Sequence, residues 1–181
     1  MIRYHETVGL RPVEEEDLAL LARWRNEPQT RTMFFTPFLI STSGQKKWYE
    51  ALLSDQARAQ FMIVQLDNND TIGTIGLDHI DYRNQNAELG VFIIDPSVRR
   101  EHLGIAAVHA LLGYAFNDLN LRRIYANVYD FNKPVLDGCP QAGFKREGVA
   151  RKAAYMNGKF HDVVHIGVLR EEWQSTQQEA Q

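Results

Sequence analysis

AELGVFIID (Ala87–Asp95) runs straight into PSVRREHLGIAAVHALLGYAF (Pro96–Phe116). The first stretch is apolar and β-branched and reads as a strand. The second opens with two arginines, an acid and a histidine around one glycine, then becomes a helix over residues 104–117, apolar on most of one side. A turn between strand and helix aims several backbone N–H groups at one point, and the helix dipole strengthens their pull on an anion. Arg99 and Arg100 add positive charge. The segment is either a cradle for a pyrophosphate or a solvated turn with an ordinary helix cap, and the local pattern leaves both open.

Upstream, AQFMIVQL (Ala59–Leu66) and TIGTIGLDHID (Thr71–Asp81) are two more strands. The polar turns DNND and YRNQN join the three into an antiparallel meander. Earlier still come a short strand, VGLRPV (Val8–Val13), and a helix with acids in its first turn and Leu18, Leu21 and Ala22 at helical spacing. STSGQKKWYEALLSD is a second amphipathic helix, with Trp48 and Leu52 on its buried side. Downstream, RRIYANVYD (Arg122–Asp130) follows a helix and so can pair parallel with Ala87–Asp95. NKPVLDGCPQAGF is a short helix broken by Gly138 and Pro140, and the remaining strands form a hairpin around Asn157-Gly158. The expected fold is one α/β domain over residues 1–172, with a mixed central sheet, an antiparallel N-terminal meander and flanking helices. The polar residues 173–181 are expected to fray as a tail.

The 181 residues suit a single domain with a real core. A formal charge of -3 gives no support for nucleic-acid binding. No apolar run reaches membrane-spanning length, MIRYHETVGL is no signal peptide, and the single cysteine, Cys139, excludes an intrachain disulfide. A cytoplasmic protein without a metal is expected.

The segment DPSVRREHLGIAAVHALLGYAF resembles the acetyl-CoA-binding segment of the GNAT acetyltransferases, Arg/Gln-x-x-Gly-x-Gly/Ala, with Arg99 at its first position and Gly104 at its last. The resemblance spans nearly the whole chain. RPVEEEDLALLARWRNEP is similar to the family's opening strand and helix, TIGTIGLDHIDYRNQNAELGVFI to its central strands, and IYANVYDFNKP with AGFKREGVARKAAYMNGKFHDVVHIGVL to its last third. The subgroup resembled contains ribosomal-protein, spermidine and amino-deoxysugar acetyltransferases. The resemblance implies acetyl transfer from acetyl-CoA to a primary amine. It implies cofactor contacts at Phe92, Ile93 and Ile94 on a strand that splays from its parallel neighbour, and at Arg99, Arg100, His102, Leu103, Gly104, Ile105 and Asn132. His102 replaces the middle glycine of the pattern; either its backbone does the glycine's work and its ring adds a donor, or the ring points to solvent. Asn132 either binds the cofactor arm or caps the following helix.

Amine acetylation needs a base, an oxyanion donor and an acid. Glu88, a carboxylate within a strand, is the leading base candidate; alternatively it is a structural group bonded to Arg83 or to a backbone N–H. Asp78, His79 and Asp81 compete with it. Cys139 stands where many family members carry a tyrosine that protonates the departing thiolate. It is either that acid or a small buried residue, in which case water or Tyr129 supplies the proton. Met33, Phe34 and Trp48 fall in the acceptor pocket of the aminosugar enzymes, as a stacking wall or as simple packing. The expected acceptor is a nucleotide-linked aminosugar, then a protein N-terminus, then a polyamine. A non-catalytic acyl-CoA-binding module is the alternative of another class. Edge strands near Phe160–Arg170 could support a homodimer.

Overall fold

Strict alternation builds the central strands. In RIYANVY, Ile124, Ala126 and Val128 are buried on one face while Arg123, Tyr125 and Asn127 stay half-exposed on the other. The computed structural model describes residues 1–2, 4–36, 38–95 and 101–179. Among these, β1 (Val8–Pro12), β2 (Ala59–Gln65), β3 (Thr71–Asp81), β4 (Asn86–Ile94), β5 (Arg123–Tyr129), β6 (Lys145–Met156) and β7 (Lys159–Leu169) form one sheet in the order β1-β2-β3-β4-β5-β7-β6. Every pairing is antiparallel except β4 with β5. The β6–β7 turn puts Asn157 and Gly158 at φ of 50° and 82°, the left-handed pair that a two-residue hairpin requires.

Helix α4 (Glu101–Gly113) lies on one face of the sheet. Leu103, Ala106, Ala107, Ala110 and Leu111 recur at i, i+3, i+4, i+7 and i+8 and are all buried. The helix therefore starts one turn before the expected Gly104. Burying Leu103 adds roughly 1.5–3 kcal/mol, more than the ~1 kcal/mol that an interior glycine costs. On the opposite face, α1 (Leu18–Asn26) and α3 (Thr42–Ser54) bury Leu18, Leu21 and Trp24 against Val13 and Met62, with Trp48, Tyr49 and Phe34 packed around them. A short helix, α2 (Pro28–Arg31), follows α1. The run Glu14–Asp17 serves the entry to α1, where Asp17 pairs with Arg11 at 2.7 Å and Glu15 with Lys46 at 3.1 Å. Among the described residues, no helix is long and apolar enough to cross a membrane.

Among the described residues the expected tail belongs to a helix, α6 (Arg170–Glu179), in which Trp173 is buried against Phe116 with ring centroids 5.5 Å apart. One aromatic anchor outweighs the polar composition around it. Trp173 Nε1 donates to His109 Nδ1 at 3.2 Å, which requires that nitrogen to be unprotonated. Burial holds the His109 imidazole below its ordinary value of 6.5, and His5 stacked beside it is lowered in the same way. A histidine kept neutral in the fold takes up a proton more readily when unfolded. Its contribution to stability is thus complete above about pH 6.5 and drains as pH falls below that value and through the lowered one. Urea unfolding at pH 7.5 and 5.5 is expected to show lower stability at the acid pH, and His109→Gln to reduce that difference.

Candidate functional site

The parallel pairing of β4 with β5 covers only Asn86–Glu88 against Arg123–Tyr125. Beyond it β4 stays with β3, while β5 stays with β7 along its full length, so the two strands part. A bulge marks the start of the opening, with Gly90 and Val91 of β4 opposite the single residue Gly76 of β3. A Cβ at Gly90 would collide with the Asp78 carboxylate and could be accepted only by displacing it from Arg58. Phe92, Ile93 and Ile94 continue β4 past the last pair with β5, opposite Ile75, Thr74 and Gly73 of β3.

Glu88 sits at the fork. Its Oε1 accepts from Asn127 Nδ2 at 2.8 Å, and His165 Nδ1 donates to Asn127 Oδ1 at 2.6 Å. Its Oε2 lies 3.0 Å from His79 Nδ1. A polar chain thus crosses four strands, His79–Glu88–Asn127–His165, with Glu88 side chain 23% exposed and His79 at the solvent end 75% exposed. These partners are not the Arg83 contact weighed from the sequence. His79 reaches Glu88 because β3 bulges between Asp78 and Asp81, and its backbone is left-handed at φ 53°. The other acids of β3 are occupied. Asp78 accepts from Arg58 at 2.9 Å, and Asp81 caps the next turn through the backbone and side chain of Asn84, which hold its carboxyl below the usual range.

Cys139 lies in the core cluster beneath the sheet, and burial pushes its thiol up to about 12. A thiol held that tightly is poorly matched to a leaving thiolate of ordinary pKa near 8.5. Tyr129 is buried too, its hydroxyl donating to the Phe34 carbonyl at 3.3 Å, and burial raises its pKa. Asn132 precedes α5 (Lys133–Gly138) but makes no side-chain cap, so the capping role is not taken up. His102 lies inside α4, exposed, and lines a cleft of about 290 Å³ with His5, Ile105 and His109. Leu103 is core, and Gly104 is half-buried in the same helix. Arg99 and Arg100 lie outside the described residues. Among the described residues no cluster of three or more His, Cys, Asp or Glu is placed to hold a metal.

On the α1/α3 face a cavity of about 380 Å³ opens over β2 and β3, lined by Arg25, Gln45, Trp48, Gln60 and Thr74 among others. Its floor residue Thr74 pairs with Ile93 of β4, so the cavity abuts the parted strands. Of the three expected acceptor residues, Trp48 lines it, Phe34 packs in the same apolar cluster beneath the Arg25 guanidinium, and Met33 is exposed away from the lining. Three consecutive residues fasten this side. Trp24 Nε1 donates to Asp95 at 2.9 Å, Arg25 Nη2 to the Thr36 hydroxyl at 2.7 Å, and Asn26 exchanges two 2.8 Å bonds with the Ile40 backbone. Reading residues one by one missed Asn127, His165 and Arg25. The signal for Asn127 was its period-two place with Tyr125 and Tyr129, across the strand from apolar neighbours.

Residues 7–145 match the family model described as "Acetyltransferase (GNAT) domain". The chain is 31% identical over 178 residues to "Uncharacterized N-acetyltransferase p20" of Bacillus licheniformis, covering 94% of this chain and 97% of that one. It is 28% identical over 179 residues to "Putative ribosomal N-acetyltransferase YdaF" of Bacillus subtilis (strain 168), covering 95% and 96%. Its fold matches, with a TM-score of 0.86 and 25% identity over 93% of this chain and 98% of that one, the crystal structure of spermidine N-acetyltransferase from Vibrio cholerae in complex with CoA and spermine. With the parted β4 and β5 at its centre and relatives that match it almost end to end, the chain belongs to the GNAT family and is an N-acetyltransferase.

Proposed function

We propose that the protein moves the acetyl group of acetyl-CoA to the primary amine of a small molecule, with Glu88 as the general base. What carries the assignment is the place of Glu88, at the fork where β4 leaves β5 and in contact with both His79 and Asn127. Asn127 fixes the carboxylate through Oε1, which keeps it from turning away from the opening. The substrate ammonium gives a proton to Glu88, directly or through one water, and becomes a neutral amine. The amine nitrogen bonds to the thioester carbonyl carbon, whose oxygen becomes an oxyanion held by a backbone N–H of β4 beyond the fork. The C–S bond then breaks, the nitrogen sheds its second proton, and the thiolate takes up a proton. Protonated Glu88 then returns its proton to water at the solvent end of the chain, where the exposed His79 stands.

The leaving thiolate draws its proton from solvent in this reading, not from Cys139 or Tyr129, whose protons are held by burial and by the Phe34 carbonyl. The first turn of α4 and Asn132 are assigned to the cofactor, with the free N–H groups of the helix start facing its pyrophosphate. A nucleotide-linked aminosugar as acceptor finds no support in the relatives named above. A polyamine acceptor is the second reading, raised by the likeness to the Vibrio cholerae spermidine enzyme, and the charge of Arg25 in the cavity wall argues against it.

Acetyl-CoA at about 100 times its dissociation constant should stabilise the wild type by roughly 2.7 kcal/mol, read as a rise in the thermal midpoint. Glu88→Gln should keep that rise and lower kcat for amine-dependent CoA release by about 10²-fold or more; undiminished turnover would remove Glu88 from the chemistry. Cys139→Ala should leave kcat and its pH profile unchanged, whereas a loss as large as that of Glu88→Gln would restore the thiol as the acid.

A further inference from the structure

Arg25 is a buried cation, 8% exposed, with no carboxylate partner among the described residues. Buried charges are normally paired, because desolvation of an unpaired one costs several kcal/mol. Here the compensation is partial. Nη2 donates to the carbonyl and hydroxyl of Thr36 at 3.1 and 2.7 Å, and the guanidinium carbon stands 3.8 Å from the centre of the Phe34 ring. Nη1, with two donors, has no hydrogen-bond partner among the described residues and is closed off from solvent. Arg25 lines the 380 Å³ cavity, and no carboxylate occurs among the described lining residues. Of the acid run Glu14–Asp17, Asp17 is paired with Arg11 and Glu15 with Lys46, and none of the four lines the cavity. The cavity is thus apolar and aromatic at Leu21 and Trp48, amide and hydroxyl at Gln45, Gln60 and Thr74, and positive at Arg25. A polycation is the wrong guest for such a lining.

We infer that this cavity seats an acceptor amine that also bears an oxyanion, a phosphate or a carboxylate, drawn by the uncompensated charge of Arg25 in its wall, and that the same cation turns polyamines away. The inference rests on the proposed acetyltransferase reading in taking this cavity, which abuts β4 at Thr74 and Ile93, as the acceptor's seat. Either anion answers that charge.

The test uses the full chain saturated with CoA, so that the cofactor's own phosphate site is filled. Inorganic phosphate and, separately, acetate are titrated at constant ionic strength and followed by calorimetry and thermal midpoint. The wild type should bind at least one of them saturably, and the tighter one names the oxyanion. Arg25→Met should weaken that binding by about tenfold or more. Should that variant fail to fold, Leu39→Glu carries the test: Leu39 lines the cavity, is 67% exposed, and the new carboxylate would compete for the guanidinium. Spermidine should elicit no CoA release from the wild type. Absence of saturable anion binding, anion binding indifferent to these substitutions (an adventitious ion only), or spermidine-dependent CoA release would each overturn the inference. Acetyl-CoA binding involves neither residue, so its loss would count instead against the acetyltransferase reading.

Discussion

Three residues of parallel pairing hold β4 to β5, and then the strands let go. The rest of the site follows from that interruption. A sheet kept closed to the ends of both strands would satisfy its own backbone groups and leave nothing for a guest. An opening flanked by two firmly held strands offers polar backbone within the middle of a stable scaffold, which suits a ligand arm with amides of its own. The price is local, because β3 on one side and β7 on the other continue to pair with the diverging strands. Glu88 occupies the last paired position.

The two faces of the sheet divide the work. The α4 face is almost entirely apolar, and its packing seats the helix on β1 and β3. The α1/α3 face is smaller and carries polar groups within it, Arg25, Gln45, Gln60 and Thr74. The first gives stability and orientation; the second gives a shaped, partly wet surface. Trp24, Arg25 and Asn26 link them, since one turn of α1 reaches the end of β4 through Asp95 and the aromatic connection through Thr36 and Ile40.

Much of this was legible in the amino-acid order. The bounds of β3, the meander, the crossover to β5 and the Asn157-Gly158 hairpin are all expressed in local alternation and turn chemistry. Local signals were outvoted at two places. Gly104 reads as a helix start, yet Leu103 buries the turn before it. EEWQSTQQEAQ reads as a tail, yet Trp173 finds a pocket made by residues far away in sequence. The site was legible as single residues but not as a network. Glu88 stands out as an acid in an apolar strand, but Asn127 and His165 acquire meaning only when β5 and β7 are set side by side. Cys139 shows the reverse: its position suggests chemistry, and the burial that answers the suggestion depends on α5 packing against α4 and the sheet. Arg25 falls at helical spacing with Leu18, Leu21 and Ala22 as an alternative to Trp24, but nothing local says that both side chains are buried.

His79 illustrates a conflict that the fold leaves standing. Its left-handed backbone costs an ordinary side chain about 1–2 kcal/mol, a conformation glycine adopts freely and asparagine tolerates. Its imidazole nevertheless reaches Glu88 from that conformation, because the extra residue in β3 is what turns it toward the carboxylate. The residue that would best relax the backbone and the residue that best serves the carboxylate are different. Selection for a hardier protein and selection for a better-poised carboxylate would pull this one position in opposite directions.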